Sequence, residues 1–213
     1  MKRVCSYLLI TTFVILGCAV REIRKEVKVS WLKPGTKMVY GVDFQGKKYD
    51  FIVNVKSLPP EIKFDWEMTE PVNKSGSILI KASALDTARG QFNYFRGGSK
   101  TLENATTVWV SKKVYKELKE KGTTKIILDS DSYTLSLKSK EKMKVSIDGT
   151  EKEIDVIYGE IENAAVEYAL DESGNLIERP KNYKYWILDD PINPVIMRMV
   201  IDFEIGIKEI TTR

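Results

Sequence analysis

Thr36–Phe44 (TKMVYGVDF), Gln45-Gly46 and Lys47–Leu58 (KKYDFIVNVKSL) are two alternating runs around a two-residue turn, and they decide the fold class. In the second run Tyr49, Phe51, Val53 and Val55 share one face of a strand while Lys48, Asp50, Ile52 and Asn54 take the other, because successive side chains of an extended chain point to opposite sides. Gln-Gly between two such runs is a hairpin signature. Pro59-Pro60 ends the second run, and Glu61–Thr69 resumes the period with Ile62, Phe64, Trp66 and Met68.

The same period continues toward the C-terminus. Strands are predicted at Gly76–Lys81, Thr106–Val110, Lys125–Leu128, Tyr133–Leu137, Met143–Ile147, Glu153–Tyr158, Val166–Leu170, Trp186–Leu188, Val195–Phe203 and Ile205–Ile210. Asp148-Gly149 and Ser173-Gly174-Asn175 are turns, and Pro191 and Pro194 impose an irregular connection around Asp189-Asp190. Two short helices interrupt the strands. One covers Ala82–Arg89 and stops at Gly90; the other covers Lys112–Lys121, with Ser111 as N-cap, Val114, Tyr115 and Leu118 as its apolar stripe, and Gly122 as its stop. About eleven to thirteen short strands result. The expected fold is mainly β with minor α: an antiparallel sheet, strongly curved or closing into a partial barrel, or two such sheets packed as a sandwich.

The N-terminus has a different character. Lys2 and Arg3 precede an apolar run from Val4 to Leu16 that ends in Gly17-Cys18, the pattern of a short secretory signal. Val14–Cys18 (VILGC) resembles the lipobox of bacterial lipoproteins, and the resemblance covers the leader alone. It implies cleavage after Gly17, diacylglycerol on the Cys18 sulfur and acylation of the new amino group; Ala19 in place of an aspartate implies outer-membrane sorting. The chain then divides into a signal peptide (1–17), a lipidated tether (18–29) and a β-rich globular domain (30–213), undivided or in two sub-lobes. The body, with its NVKSLPPEIKFDW and WILDDPINPVI segments, resembles uncharacterised β-rich envelope lipoproteins, which lend it no site residues.

Composition narrows the chemistry. The 213 residues include no histidine, so no Ser-His-Asp or Cys-His pair and no imidazole metal ligand can form. Loss of Lys2 and Arg3 with the leader takes the 34 basic residues to 32 against 30 acidic ones, and the formal charge from +4 to +2, which removes the case for a nucleic-acid partner. Asp129/Asp131 and Asp189/Asp190 are read as turn carboxylates rather than catalytic pairs. Asp129–Ser132 is too brief for a calcium loop, and Arg96–Lys100 lacks the context of a phosphate loop. No catalytic residue, metal site or cofactor is expected.

Aromatic side chains are the remaining candidates. Phe92, Tyr94 and Phe95 lie in a polar loop next to Gly97-Gly98 and are the expected ligand-binding residues, as a lid over a curved apolar sheet or as a packing cluster. The functional expectation is a lipid-anchored, non-catalytic envelope module that binds an apolar ligand or another envelope protein. The alternatives are a scaffold subunit of an envelope complex and a carboxylate-dependent enzyme. A Cys18→Ser variant is expected to keep its leader and lose labelled palmitate in growing cells; continued labelling would refute the lipid anchor.

Overall fold

The computed structural model describes residues 31–170 and 175–212. The signal peptide, Cys18 and the whole tether, together with Ser173-Gly174, lie outside the described residues. The chain is mainly β, as expected. Among the described residues the strands form one 13-stranded sheet, and two helices pack against it.

The N-terminal strands β1 (Lys37–Phe44), β2 (Lys47–Ser57), β3 (Ile62–Met68) and β4 (Lys74–Ile80) follow one another as antiparallel neighbours. Gln45 and Gly46 both take positive φ, 53° and 78°, which gives the β1–β2 turn the twist that a tight hairpin requires. Alternation in β3 is strict: Ile62, Phe64 and Trp66 are buried and Lys63 and Glu67 exposed. After α1 (Ala82–Thr87) come three short strands, β5 (Gly90–Gln91), β6 (Gly98–Leu102) and β7 (Ala105–Thr106). β6 pairs in parallel with β4, and Gly76 permits that approach: a Cβ there would sit 1.9 Å from the Gly98 carbonyl oxygen.

Helix α2 (Lys112–Lys121) has the predicted bounds and caps. The Ser111 hydroxyl accepts from the Val114 amide, Gly122 turns left-handed at φ 74°, and Val114, Tyr115 and Leu118 are buried. The predicted strand Thr106–Val110 shrinks to β7 and a single bridge, Trp109 to Val195, because Val108 adopts φ 62° and breaks the extended run.

The second half of the sheet is built from longer strands than the turn signals imply. β8 (Thr123–Leu128) and β9 (Asp131–Ile147) flank the Asp129-Ser130 turn, where both residues again have positive φ. β9 runs unbroken through the stretch expected to separate two strands: Lys138, Lys140, Lys142 and Lys144 alternate along its exposed side. β10 (Thr150–Leu170) likewise joins two predicted strands across a bulge, in which the Asn163 amide donates to Asn182 Oδ1 at 3.0 Å. β11 (Leu176–Leu188), β12 (Ile196–Val200) and β13 (Glu204–Thr211) complete the order β6-β4-β3-β2-β1-β13-β12-β11-β10-β9-β8-β5-β7.

β13 also pairs with β9 through Glu209–Ser146 and Ile210–Ile147, so β9 to β13 close into a ring while β1 to β4 extend from it as an open, curved wing. Of the expected architectures this is the partial barrel. Most neighbours are antiparallel, and four pairings, β4–β6, β5–β7, β5–β8 and β9–β13, are parallel. Two apolar cores result. One gathers Met38, Phe51, Phe64, Trp109 and Met197 on the wing side, and the other gathers Leu118, Leu135, Ile157 and Tyr185 beneath α2. Phe203 and Ile205 pack against both.

Candidate functional site

The wing and the ring enclose an apolar cavity of about 430 Å³, a size within the roughly 300–1,000 Å³ of small-ligand sites. Register builds its wall. Met199, Ile205, Val42 and Tyr49 stand opposite one another across four strands, and a second row runs Tyr40, Phe51, Met68 and Lys74. A slip of one residue in any strand would turn that strand's members of both rows away, so the apolar alternation that forms the core also forms the cavity. Tyr40, Val42, Phe51, Ile196 and Met199 make a buried floor, whereas Phe44, Lys47, Lys74, Tyr94 and Arg96 are exposed at its edge.

Two of the three expected loop aromatics reach this cavity. Phe95 lines it and is anchored, its ring 4.6 Å from Phe51 and 5.0 Å from Trp66 between centroids. Tyr94 lines it from the outside, 54% exposed, and its hydroxyl donates to Asp129 Oδ2 at 2.6 Å, tying the loop to the β8–β9 turn. Phe92 is not a lining residue. It supports Phe95 at 5.6 Å and carries the Lys100 ammonium over its own face at 4.0 Å. The loop is therefore a packed strap with one exposed aromatic. Met199, Phe203 and Ile205 went unrecognised as site residues, since a sequence cannot distinguish an interior strand position that meets another side chain from one that meets a void.

The paired carboxylates serve the connections in which they lie. Asp190 is buried, and its Oδ1 accepts from the Ile192 amide at 2.8 Å, closing the turn that Pro191 begins. Asp189 accepts from the Tyr115 hydroxyl and from Lys119 Nζ, the latter 2.7 Å from Oδ2, and so clamps α2 to the connection between β11 and β12. Burial opposes its ionisation, but the hydrogen bonds from Lys119 and Tyr115 and the charges of Lys119 and Lys140 outweigh it and hold the carboxyl below its ordinary value. Burial and the same carboxylate push the Tyr115 hydroxyl far up. The lysine row on β9 is largely neutralised across the strand pair: Lys138, Lys142 and Lys144 meet Glu162, Glu153 and Glu151. Among the described residues no group of three or more acidic or cysteine side chains could hold a metal ion.

No protein-family model, curated protein or solved structure matches the chain.

The Asp189 clamp has a pH signature. A carboxyl whose pKa is lowered by folding stabilises the fold above its unfolded value, about 3.9, and ceases to do so as the pH falls through the folded value. Asp189→Asn is expected to lower the denaturant midpoint at pH 7, with the gap to the wild type narrowing below about pH 4. A gap independent of pH, measured by urea unfolding across that range, would contradict the clamp.

Proposed function

We propose that the chain is a lipid-anchored protein of the bacterial outer membrane whose β-domain binds an apolar ligand without chemically altering it. The cavity carries this reading: its floor is apolar and its mouth is edged with exposed aromatics and cations. An apolar floor that would otherwise face water gains by burying an apolar guest. The leader supports the anchor, since three acyl chains at about 0.8 kcal/mol per buried CH₂ hold a domain at a membrane far more firmly than one chain does. The lipid anchor and the envelope address rest on VILGC alone.

A second reading, a scaffold subunit, is favoured by one observation. Beyond the bulge at Asn163, β10 and β11 continue as a two-stranded arm without further sheet neighbours among the described residues, and Val166, Tyr168, Leu170 and Leu176 are exposed on it at 54–68%. Such an arm offers free edges and apolar contacts to a protein partner.

The neutral dye N-phenylnaphthylamine separates the two. It is expected to bind the chain saturably with a rise in fluorescence, and Ile205→Trp, which fills the cavity from a half-buried wall position, is expected to weaken binding at least about tenfold, or 1.4 kcal/mol, with the circular dichroism unchanged. Absence of saturable binding, or full binding by a folded Ile205→Trp, would remove the apolar-ligand reading and leave the arm as the functional element.

A further inference from the structure

We infer that the cavity's occupant is a single-chain amphiphile with an anionic head, its chain on the buried floor and its head at the mouth among Lys47, Lys74 and Arg96; this rests on the reading of the cavity as an apolar-ligand site.

The two faces of the β1–β2 hairpin carry the case. On the face away from the cavity, a groove is lined by both signs of charge, and all of these but Glu70 pair within it: Lys48 with Asp43 at 3.8 Å, Arg198 with Glu204 at 2.7 Å and Lys208 with Asp50 at 2.8 Å. On the cavity face the formal charges in the lining are Lys47, Lys74 and Arg96, with no carboxylate among them. None of the three has an ion pair among the described residues. Two acids whose charges reach Tyr94 at the mouth are already engaged. Asp129 accepts from Tyr94, and Asp202 accepts from the Tyr183 hydroxyl at 2.9 Å and faces Lys181 at 3.8 Å.

Placement follows from register. Lys47 stands opposite Phe44 beside the Gln45-Gly46 turn of the hairpin, and Lys74 ends the row that runs inward through Met68, Phe51 and Tyr40. Arg96 directly follows Phe95, whose ring is fixed between Phe51 and Trp66. Each cation thus sits where apolar wall gives way to water, which is where the head of an amphiphile lies when its chain is buried. Gln91 adds to the bias, because its Nε2 is buried, lacks a hydrogen-bond partner and belongs to a lining side chain, so it offers a donor to an oxygen-bearing ligand. Charge at the rim selects the sign of the head group, while the apolar floor binds the chain irrespective of the head. A volume of about 430 Å³, toward the lower end of the small-ligand range, suits one chain rather than a multi-chain lipid.

The test displaces N-phenylnaphthylamine from the full chain with laurate, dodecanol and dodecyltrimethylammonium, each below its critical micelle concentration. Laurate is expected to compete at about tenfold lower concentration than dodecanol, with the cationic amphiphile weakest. Added salt should weaken laurate and leave dodecanol unchanged. The triple variant K47Q/K74Q/R96Q, changed at exposed positions, should bring laurate to the level of dodecanol without altering dodecanol itself. Equal or better binding of dodecanol in the wild type, or an unchanged laurate preference in the triple variant, overturns the anionic-head assignment and leaves the apolar-ligand reading standing. Failure of all three amphiphiles to displace the dye overturns both.

Discussion

The pairing of β13 with β9 is the constraint on which the rest of the structure depends. Ile210 and Glu209 meet Ile147 and Ser146 in parallel, the Asp148 amide donates to the Ile210 carbonyl at 2.9 Å, and Thr212 donates to the Asp148 carboxylate from its amide at 2.7 Å and its hydroxyl at 2.6 Å. Those bonds hold the Asp148 carboxyl below its ordinary range. They close β9 to β13 into a ring and present the remaining edge of β13 to β1, so the N-terminal wing is templated on the chain's last strand. Long-range closure of this kind brings order to both halves together, because neither the ring nor the wing has its full complement of neighbours without β13.

Closure also explains why a cavity exists. Ile205 and Phe203 lie where the wing leaves the ring and pack against both cores, so the two apolar faces diverge from that line instead of meeting along their whole length. The gap between them is roofed by the Phe92–Phe95 strap rather than by another strand. Phe95 is embedded among Phe51, Trp66 and Phe92, and the strap's far end is tied by Tyr94 to Asp129. Bulky aromatics hold the roof above the floor, and the exposed cations at its edge face water.

Alternation made much of this legible. The Gln45-Gly46, Asp129-Ser130 and Asp148-Gly149 turns, the β3 face of Ile62, Phe64 and Trp66, and the α2 caps at Ser111 and Gly122 all follow from local chemistry acting over a few residues. Strand length was less legible. Residues 138–142 lie between two predicted strands, yet they continue β9, because pairing with β10 and glutamates across the pair make a polar stretch a competent strand. The parallel contacts of β4 with β6 and of β9 with β13 were illegible, since they join segments that no turn connects. The site was half legible. An aromatic loop can be recognised from Phe92, Tyr94 and Phe95, but the roles of Met199, Ile205 and Lys74 depend on cross-strand register, and that is a property of the assembled sheet.

The central claim is that the gap between wing and ring receives an apolar chain. It is tested most directly by intermolecular nuclear Overhauser effects between bound laurate and the methyl groups of the protein. Cross-peaks are expected from the far end of the chain to Val42, Ile196, Met199 and Ile205, and from its head-group end to the neighbourhood of Lys47 and Arg96. Cross-peaks confined to Val166, Leu170 and Leu176 on the arm, or to Leu118 and Leu135 beneath α2, would contradict it.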